Sequence, residues 1–280
     1  MECEIREGSL FYKRIGDGIP LVLLHGRVGD HRYMEGLFEP LFAKRGGWQR
    51  IYLDLPGCGQ TRVDESVNSH DRELEVILAW FDRILPGQRF ALAGLSYGGY
   101  LARGIVYRRM KQLEGLCLIA PRIQQDQAMK DTPEPITLVT HQAIKMELEA
   151  GEIEVFESLV VQSRHGLGQL REHFVPGAAG HDHEHSQRVS ATSPGLSFDV
   201  DALEQPFEKP ALILTGRQDS TVGYRDAWKI LAQYPRATFA VLDRAGHFLG
   251  IAEQSELVSA LILEWLERVE LERRAREQAG

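Results

Sequence analysis

Phe90-Ala91-Leu92-Ala93-Gly94-Leu95-Ser96-Tyr97-Gly98-Gly99 is the stretch on which the reading of this chain turns. An apolar run of strand length meets a Gly-x-Ser-x-Gly, and the residues after it, with Leu101, Ile105 and Met110 roughly on one face, carry a helical period. Strand, tight turn and helix in that order make a nucleophile elbow, with the Ser96 hydroxyl standing clear of the strand end. Gly94 and Gly98 leave out the Cβ atoms that would collide where strand and helix cross closely. The helix beginning at once aims free N–H groups and a positive dipole end at the serine.

Outward from this stretch, the same pattern recurs in both directions. Residues 3–15 alternate as a hairpin, with Glu7-Gly8-Ser9 at its turn. Pro20–Leu24 and Ile51–Leu53 are continuous apolar runs of the kind covered on both faces of a sheet. Helices are expected over His31–Lys44 and Asp71–Leu85, the second from the spacing of Leu74, Ile77, Leu78, Phe81 and Leu85. Leu116–Ala120 is a further buried strand. Alternation resumes with a strand over 211–215, a helix over 224–233, a strand over 238–242 and a closing helix over 254–274, whose polar end, 270–278, reads as frayed. Strand–helix alternation implies right-handed crossovers and a mainly parallel sheet, with ligands bound beyond the carboxyl ends of its strands. Between Pro121 and about residue 206 the alternation stops. Asp131-Thr132-Pro133-Glu134-Pro135 breaks the chain, and helices are expected over 136–150 and 153–162, followed by a polar loop holding His181-Asp182-His183-Glu184-His185.

Composition narrows the class. The chain has 280 residues, 43% of them hydrophobic, and a formal net charge of −8, which disfavours nucleic-acid partners and, more mildly, anionic membranes. Three cysteines, Cys3, Cys58 and Cys117, show no metal-ligand spacing and read as free thiols of a reducing compartment. The start of the chain lacks a basic and apolar leader pattern, and no apolar run approaches the ~20 residues needed to cross a bilayer. A cytoplasmic protein acting on a small molecule is the expectation.

A serine hydroxyl becomes a useful nucleophile only with a base in reach and an acid to orient that base. Asp219 and His247 each follow a C-terminal strand, and the order Ser96, Asp219, His247 is the one expected after a nucleophile elbow. Asp199, Asp201 and Asp226 compete for the acid position, but none directly follows an apolar strand. Oxyanion donors are expected from the backbone N–H of Tyr97 and from the loop after Leu24, most plausibly the N–H of Arg27. The Arg27 side chain either meets a substrate carboxylate or pairs with Asp30. Gly26, Arg27, Tyr97 and Phe248 are the expected substrate contacts, with Met146 and Phe156 assigned to packing. His181, His183 and His185 could face one way on a strand, but as a solvated loop they are assigned no metal.

Taken together, His25-Gly26, Asp54-Leu55-Pro56-Gly57-x-Gly59, Gly94-x-Ser96-x-Gly98-Gly99, Gly216-x-x-Asp219 and Gly246-His247 resemble the α/β-hydrolase superfamily. The resemblance covers residues 1–121 and 206–280. It implies the α/β-hydrolase fold: a mostly parallel eight-stranded sheet flanked by helices, with 122–205 inserted as a helical cap. It further implies a Ser96–His247–Asp219 triad and no cofactor. Haloalkane dehalogenases and epoxide hydrolases are similar but carry Asp where this chain has Ser96. Prolyl aminopeptidases carry His-Gly-Gly-Pro-Gly where it has His25-Gly26-Arg27-Val28-Gly29, and Cys58 stands where His is common. The expected activity is cleavage of a small or medium carboxylic ester or related acyl compound through an acyl-enzyme. Carbon–carbon bond hydrolysis or a lyase reaction with the same triad is the alternative, and a slowly turning-over ligand sensor the third reading.

Overall fold

The computed structural model describes residues 1–279. A hairpin of β1 (Glu2–Ile5) and β2 (Gly8–Ile15) leads into β3 (Ile19–Leu24), α1 (His31–Phe42), β4 (Trp48–Leu53), the two-residue β5 (Arg62–Val63) and α2 (His70–Ile84). Then come β6 (Phe90–Leu95), α3 (Tyr97–Arg109) and β7 (Leu113–Ile119). The sheet runs β1-β2-β4-β3-β6-β7, then two later strands, β8 (Ala211–Gly216) and β9 (Ala237–Leu242). These are the eight expected strands, and β5 adds a short ninth beside β2. Every pairing from β4 to β9 is parallel, whereas β2 pairs antiparallel with β1 and β4.

Alternation along the strands sorts the core into two layers. Leu21 and Leu23 of β3 face one way, into a cluster with Met34, Phe38, Ile262 and Trp265. Val22 and Leu24 face the other way, into a cluster with Ile77, Phe81, Leu101 and Ile105. Thus α1 and the last helix, α10 (Ser255–Ala279), cover one face, and α2 and α3 the other. Both sides of the central strands β3, β6, β7 and β8 are dry, which is why they read as unbroken apolar runs, while β9 at the edge is half-buried.

Between β7 and β8 the expected pair of long helices is not formed. Instead there are five short ones: α4 (Gln142–Lys145), α5 (Ile153–Glu157), α6 (Arg164–His173), α7 (Val175–Ala179) and α8 (His183–Thr192). Val139 instead makes a parallel bridge to Val161: Leu138 and Val139 donate to the Val160 carbonyl at 2.8 and 3.1 Å, and Gln162 donates to Val139 at 2.9 Å. The polar loop expected around His183 is a helix, capped by the Asp182 carboxylate accepting from the His185 amide. The helix expected over 224–233 is shorter, α9 (Arg225–Lys229) followed by a 3-10 turn.

The end of α10 is also a correction. It stays helical to Ala279 because its polar groups are engaged. Glu270 accepts from Arg45 and from the Trp48 indole, Glu272 binds Lys209 and Arg236, and Arg276 grips buried Glu114 through two bonds of 2.6 Å. No described helix is long and apolar enough to cross a membrane.

Candidate functional site

The carboxyl ends of β3, β6, β8 and β9 open on one rim. Ser96, between β6 and α3, has φ +50° and ψ −111°, a conformation that side chains other than glycine's rarely take. Hydrogen bonds hold it there: its N–H donates to Ile119 at 2.9 Å, and its carbonyl accepts from Arg122 at 3.0 Å and Tyr100 at 3.1 Å. The glycines around it are obligatory. A Cβ on Gly98 would lie 2.4 Å from the carbonyls of Leu24 and His25, and one on Gly94 would lie 2.5 Å from the Gly98 carbonyl.

His247 Nε2 lies 3.0 Å from Ser96 Oγ, and His247 Nδ1 lies 2.9 Å from Asp219 Oδ2. Three side chains up to 151 positions apart thus form one hydroxyl–imidazole–carboxylate line. The other carboxylate oxygen of Asp219 accepts from the amides of Thr221 (2.8 Å) and Val222 (3.0 Å). Burial pushes the Asp219 carboxyl up, but His247 and these two amides outweigh it and hold the group below its ordinary range. Asp226, a competitor in the sequence, binds Lys229 and the Asp131 amide instead, and Asp201 binds Arg103.

The loop after β3 is fixed by His25. Its Nδ1–H donates to the Gly26 carbonyl at 2.7 Å, and its Nε2 accepts from the Leu55 amide at 3.0 Å. Burial lowers its pKa, so it stays neutral and keeps both roles. The loop runs beside the serine: a Cβ on Gly26 would lie 3.5 Å from Ser96 Cβ. The Tyr97 amide, at the first residue of α3, has no acceptor within its helix.

Above Ser96 and His247 lies a cavity of about 220 Å³. Its walls are Val28, Tyr33, Leu95, Phe174 and Phe248, with Gly26, Arg27 and Thr221 at its edge. Tyr33, Phe174 and Phe248 form an aromatic trio, the last two meeting edge to face at 5.0 Å between centroids. Phe174, from the 122–205 segment, closes one side. A larger groove of about 530 Å³ lies at the far end of α3, around Tyr107 and Lys111, away from this chemistry.

Some expected contacts fall elsewhere. Tyr97 does not line the cavity: it is fully buried, and its hydroxyl donates to Glu73. The Arg27 guanidinium neither pairs with Asp30 nor stands free. It donates to Glu73 at 2.8 Å, lies 3.2 Å from His70 Nδ1 and stacks 3.5 Å above the Tyr97 ring, while Asp30 binds Arg32. Met146 is 89% exposed, and Phe156 is buried in the core. The three histidines at 181–185 do not converge on a point. His185 Nε2 lies 3.0 Å from Glu73, and His181 Nε2 lies 3.0 Å from Ser186 Oγ. Asp30, His31 and Asp54 cluster more closely, but Asp54 already accepts from the amides of His31 and Gln60 and from the His31 ring.

Two carboxylates at the site escaped the sequence reading. Glu253 accepts from the amides of Val160 (2.5 Å), Val161 (3.0 Å) and Gly246 (2.6 Å), tying the 122–205 segment to the His247 loop. Glu73 sits beneath Arg27 and Tyr97. Its signal was available: Glu73 lies four residues before Ile77, hence on the apolar face of α2.

The fold has counterparts among known proteins. The chain is 28% identical over 243 residues, 81% of its length and 86% of the relative's, to the 2-succinyl-6-hydroxy-2,4-cyclohexadiene-1-carboxylate synthase of Salmonella enteritidis PT4. An alpha/beta superfamily hydrolase from Oenococcus oeni PSU-1 superposes with a TM-score of 0.86 at 27% identity, covering 96% of this chain and 99% of that one. A thermophilic esterase from Thermogutta terrifontis shares the fold with a TM-score of 0.65 at 21% identity, over 96% and 99% of the two chains. A family model described as the alpha/beta hydrolase fold matches residues 19–254, a span that begins at β3 and runs past His247, and the chain therefore belongs to that family.

Proposed function

We propose that this protein is a serine hydrolase that cleaves a small carboxylic ester, or a related acyl compound, through an acyl-enzyme. The observation that carries the reading is the continuous 3.0 and 2.9 Å line from Ser96 through His247 to Asp219 beneath a small aromatic cavity. Ser96 Oγ attacks the acyl carbon while His247 Nε2 takes its proton. Asp219 holds the ring in the tautomer with Nδ1–H and stabilises the charge that forms. The carbonyl electron pair moves to oxygen, where the amides of Arg27 and Tyr97 receive it. Collapse expels the alcohol, protonated by His247, and water, activated by the same imidazole, releases the acid.

The cavity favours a compact, uncharged acyl group. Its lining is mostly apolar, and the Arg27 guanidinium is already engaged by Glu73. A lyase or carbon–carbon bond reaction with the same three residues is the second reading, supported by similarity to a synthase over 81% of the chain. The test is a series of p-nitrophenyl esters of rising acyl length, together with labelling by a fluorophosphonate. Multiple turnover strongest for short acyl chains, and labelling lost in Ser96→Ala, are expected. A folded wild-type protein that neither turns over esters nor takes the label would overturn the reading.

A further inference from the structure

The two residues whose amides would form the oxyanion hole share a feature that the proposed reaction does not itself require. Both of their side chains end on one carboxylate. Glu73, on α2, accepts from Arg27 Nη1 at 2.8 Å through one oxygen and from the Tyr97 hydroxyl through the other. The Arg27 guanidinium carbon lies over the Tyr97 ring at 3.5 Å from its centroid, so the two side chains also hold each other. His185 of α8 brings its Nε2 to 3.0 Å from the same Glu73 oxygen as Arg27, and His70 Nδ1 stands 2.7 Å from the Tyr97 hydroxyl.

We propose that Glu73 is a positioning residue for the oxyanion hole, holding both donor residues in register, with His185 of the 122–205 segment as the contact that locks the carboxylate in place. The proposal rests on the serine-hydrolase reading above. Glu73 touches no reacting atom and acts through Arg27 and Tyr97. The carboxylate has no access to solvent, so it is tolerable only fully coordinated. Burial would raise its pKa, but the Arg27 charge and the contacts with His185, His70 and Tyr97 overcome that and hold the group ionised. The docking of α8 is itself built in. Asp182 donates its amide to the Gly57 carbonyl at 2.9 Å, and a Cβ at Gly57 would lie 2.4 Å from the His185 ring. The segment therefore reaches Glu73 through His185 while Asp182 ties it to Gly57, and removing the carboxylate frees two donor residues at once.

The experiment compares the wild type with Glu73→Gln and Tyr97→Phe, using p-nitrophenyl acetate and a trifluoromethyl ketone. In the ketone adduct the Ser96 Oγ–carbon bond forms, the carbonyl electron pair moves to oxygen and the serine proton passes to His247, so its affinity reads the oxyanion hole directly. In folded Glu73→Gln, kcat falls about 10- to 100-fold, as expected for a misplaced donor. KM stays within about twofold, and the ketone Ki rises in proportion to the loss of kcat/KM. Tyr97→Phe, which keeps its amide, moves both in the same direction by less. A folded Glu73→Gln with wild-type kcat, a loss confined to KM, or unchanged ketone affinity overturns the proposal. If Glu73→Gln does not fold, Tyr97→Phe decides, and wild-type kcat and Ki in that variant overturn it. A wild type that neither cleaves the ester nor binds the ketone refutes the hydrolase reading itself, whereas an active wild type with an unaffected variant refutes only the role of Glu73.

Discussion

Among single residues, the protonation of Asp219 carries the sharpest consequence. Its carboxyl lies below the usual range because His247 and the amides of Thr221 and Val222 together outweigh burial. A carboxylate with a depressed pKa remains ionised throughout the range in which histidines titrate. Any acid loss of activity between pH 7 and about 4.5 should then involve no proton on Asp219. The logarithm of kcat/KM should therefore fall with a slope no steeper than one as pH drops from 7 to about 4.5. A slope approaching two within that range would mean that Asp219 takes up a proton there, and the assignment of its charge would be wrong. Ser96, Asp219 and His247 were readable from the sequence because each follows a strand whose apolar run marks a fixed height in the sheet. Where the Arg27 side chain would go was not readable, because its partner, Glu73, lies 46 residues away on another element.

Among the elements, the strands and long helices were legible because their periodicity is set by two large, dry layers. The short helices of 122–205 were not. Residues 136–150 carry apolar positions at helical spacing, yet Leu138 and Val139 bond to a partner more than twenty residues downstream, which no local window can reveal. α8 is polar along nearly its whole length and buries only His185 and Val189, one turn apart. The usable clue was Asp182 as its cap with Glu184 in the first turn. His181, just ahead of α8, makes a test at this scale. It is buried near Cys58 and beside His183, and its pKa is lowered to about 4, chiefly by burial and then by the charges of His183 and Arg27. A histidine depressed in the native state binds a proton less readily than in the unfolded chain. Its contribution to stability is complete above about pH 6.5 and is lost as pH falls toward 4. Replacing it by Gln should shrink the drop in Tm between pH 7 and pH 4.5 by at least about 2 °C, measured by scanning calorimetry. An identical drop in both proteins would show that this ring does not carry the acid sensitivity of the segment.

Over the whole molecule, stability and chemistry sit at opposite edges of the sheet. Ser96, Asp219 and His247 stand at the carboxyl ends of the strands. The last turns of α10 grip the other edge: Glu270 reaches Trp48 at the start of β4, Arg276 reaches Glu114 near the start of β7, and Glu272 reaches Lys209 and Arg236 just ahead of β8 and β9. Most of these pairs are partly exposed and worth little singly. Glu114 differs, since it is 3% exposed and would be left as a buried, unpaired charge without Arg276. A chain ending at Val269 keeps Ile262, Trp265 and Val269 in the core but loses all of these ties. Its Tm should fall by about 5–10 °C, while kcat/KM at 25 °C remains that of the full chain, because no group around Ser96, Asp219 or His247 has lost a partner. Arg276→Gln alone should account for a substantial part of the shift. A truncated protein with full stability would mean that the terminal turns hold nothing, and a truncated protein that is stable but slow would mean that the two edges of the sheet are coupled.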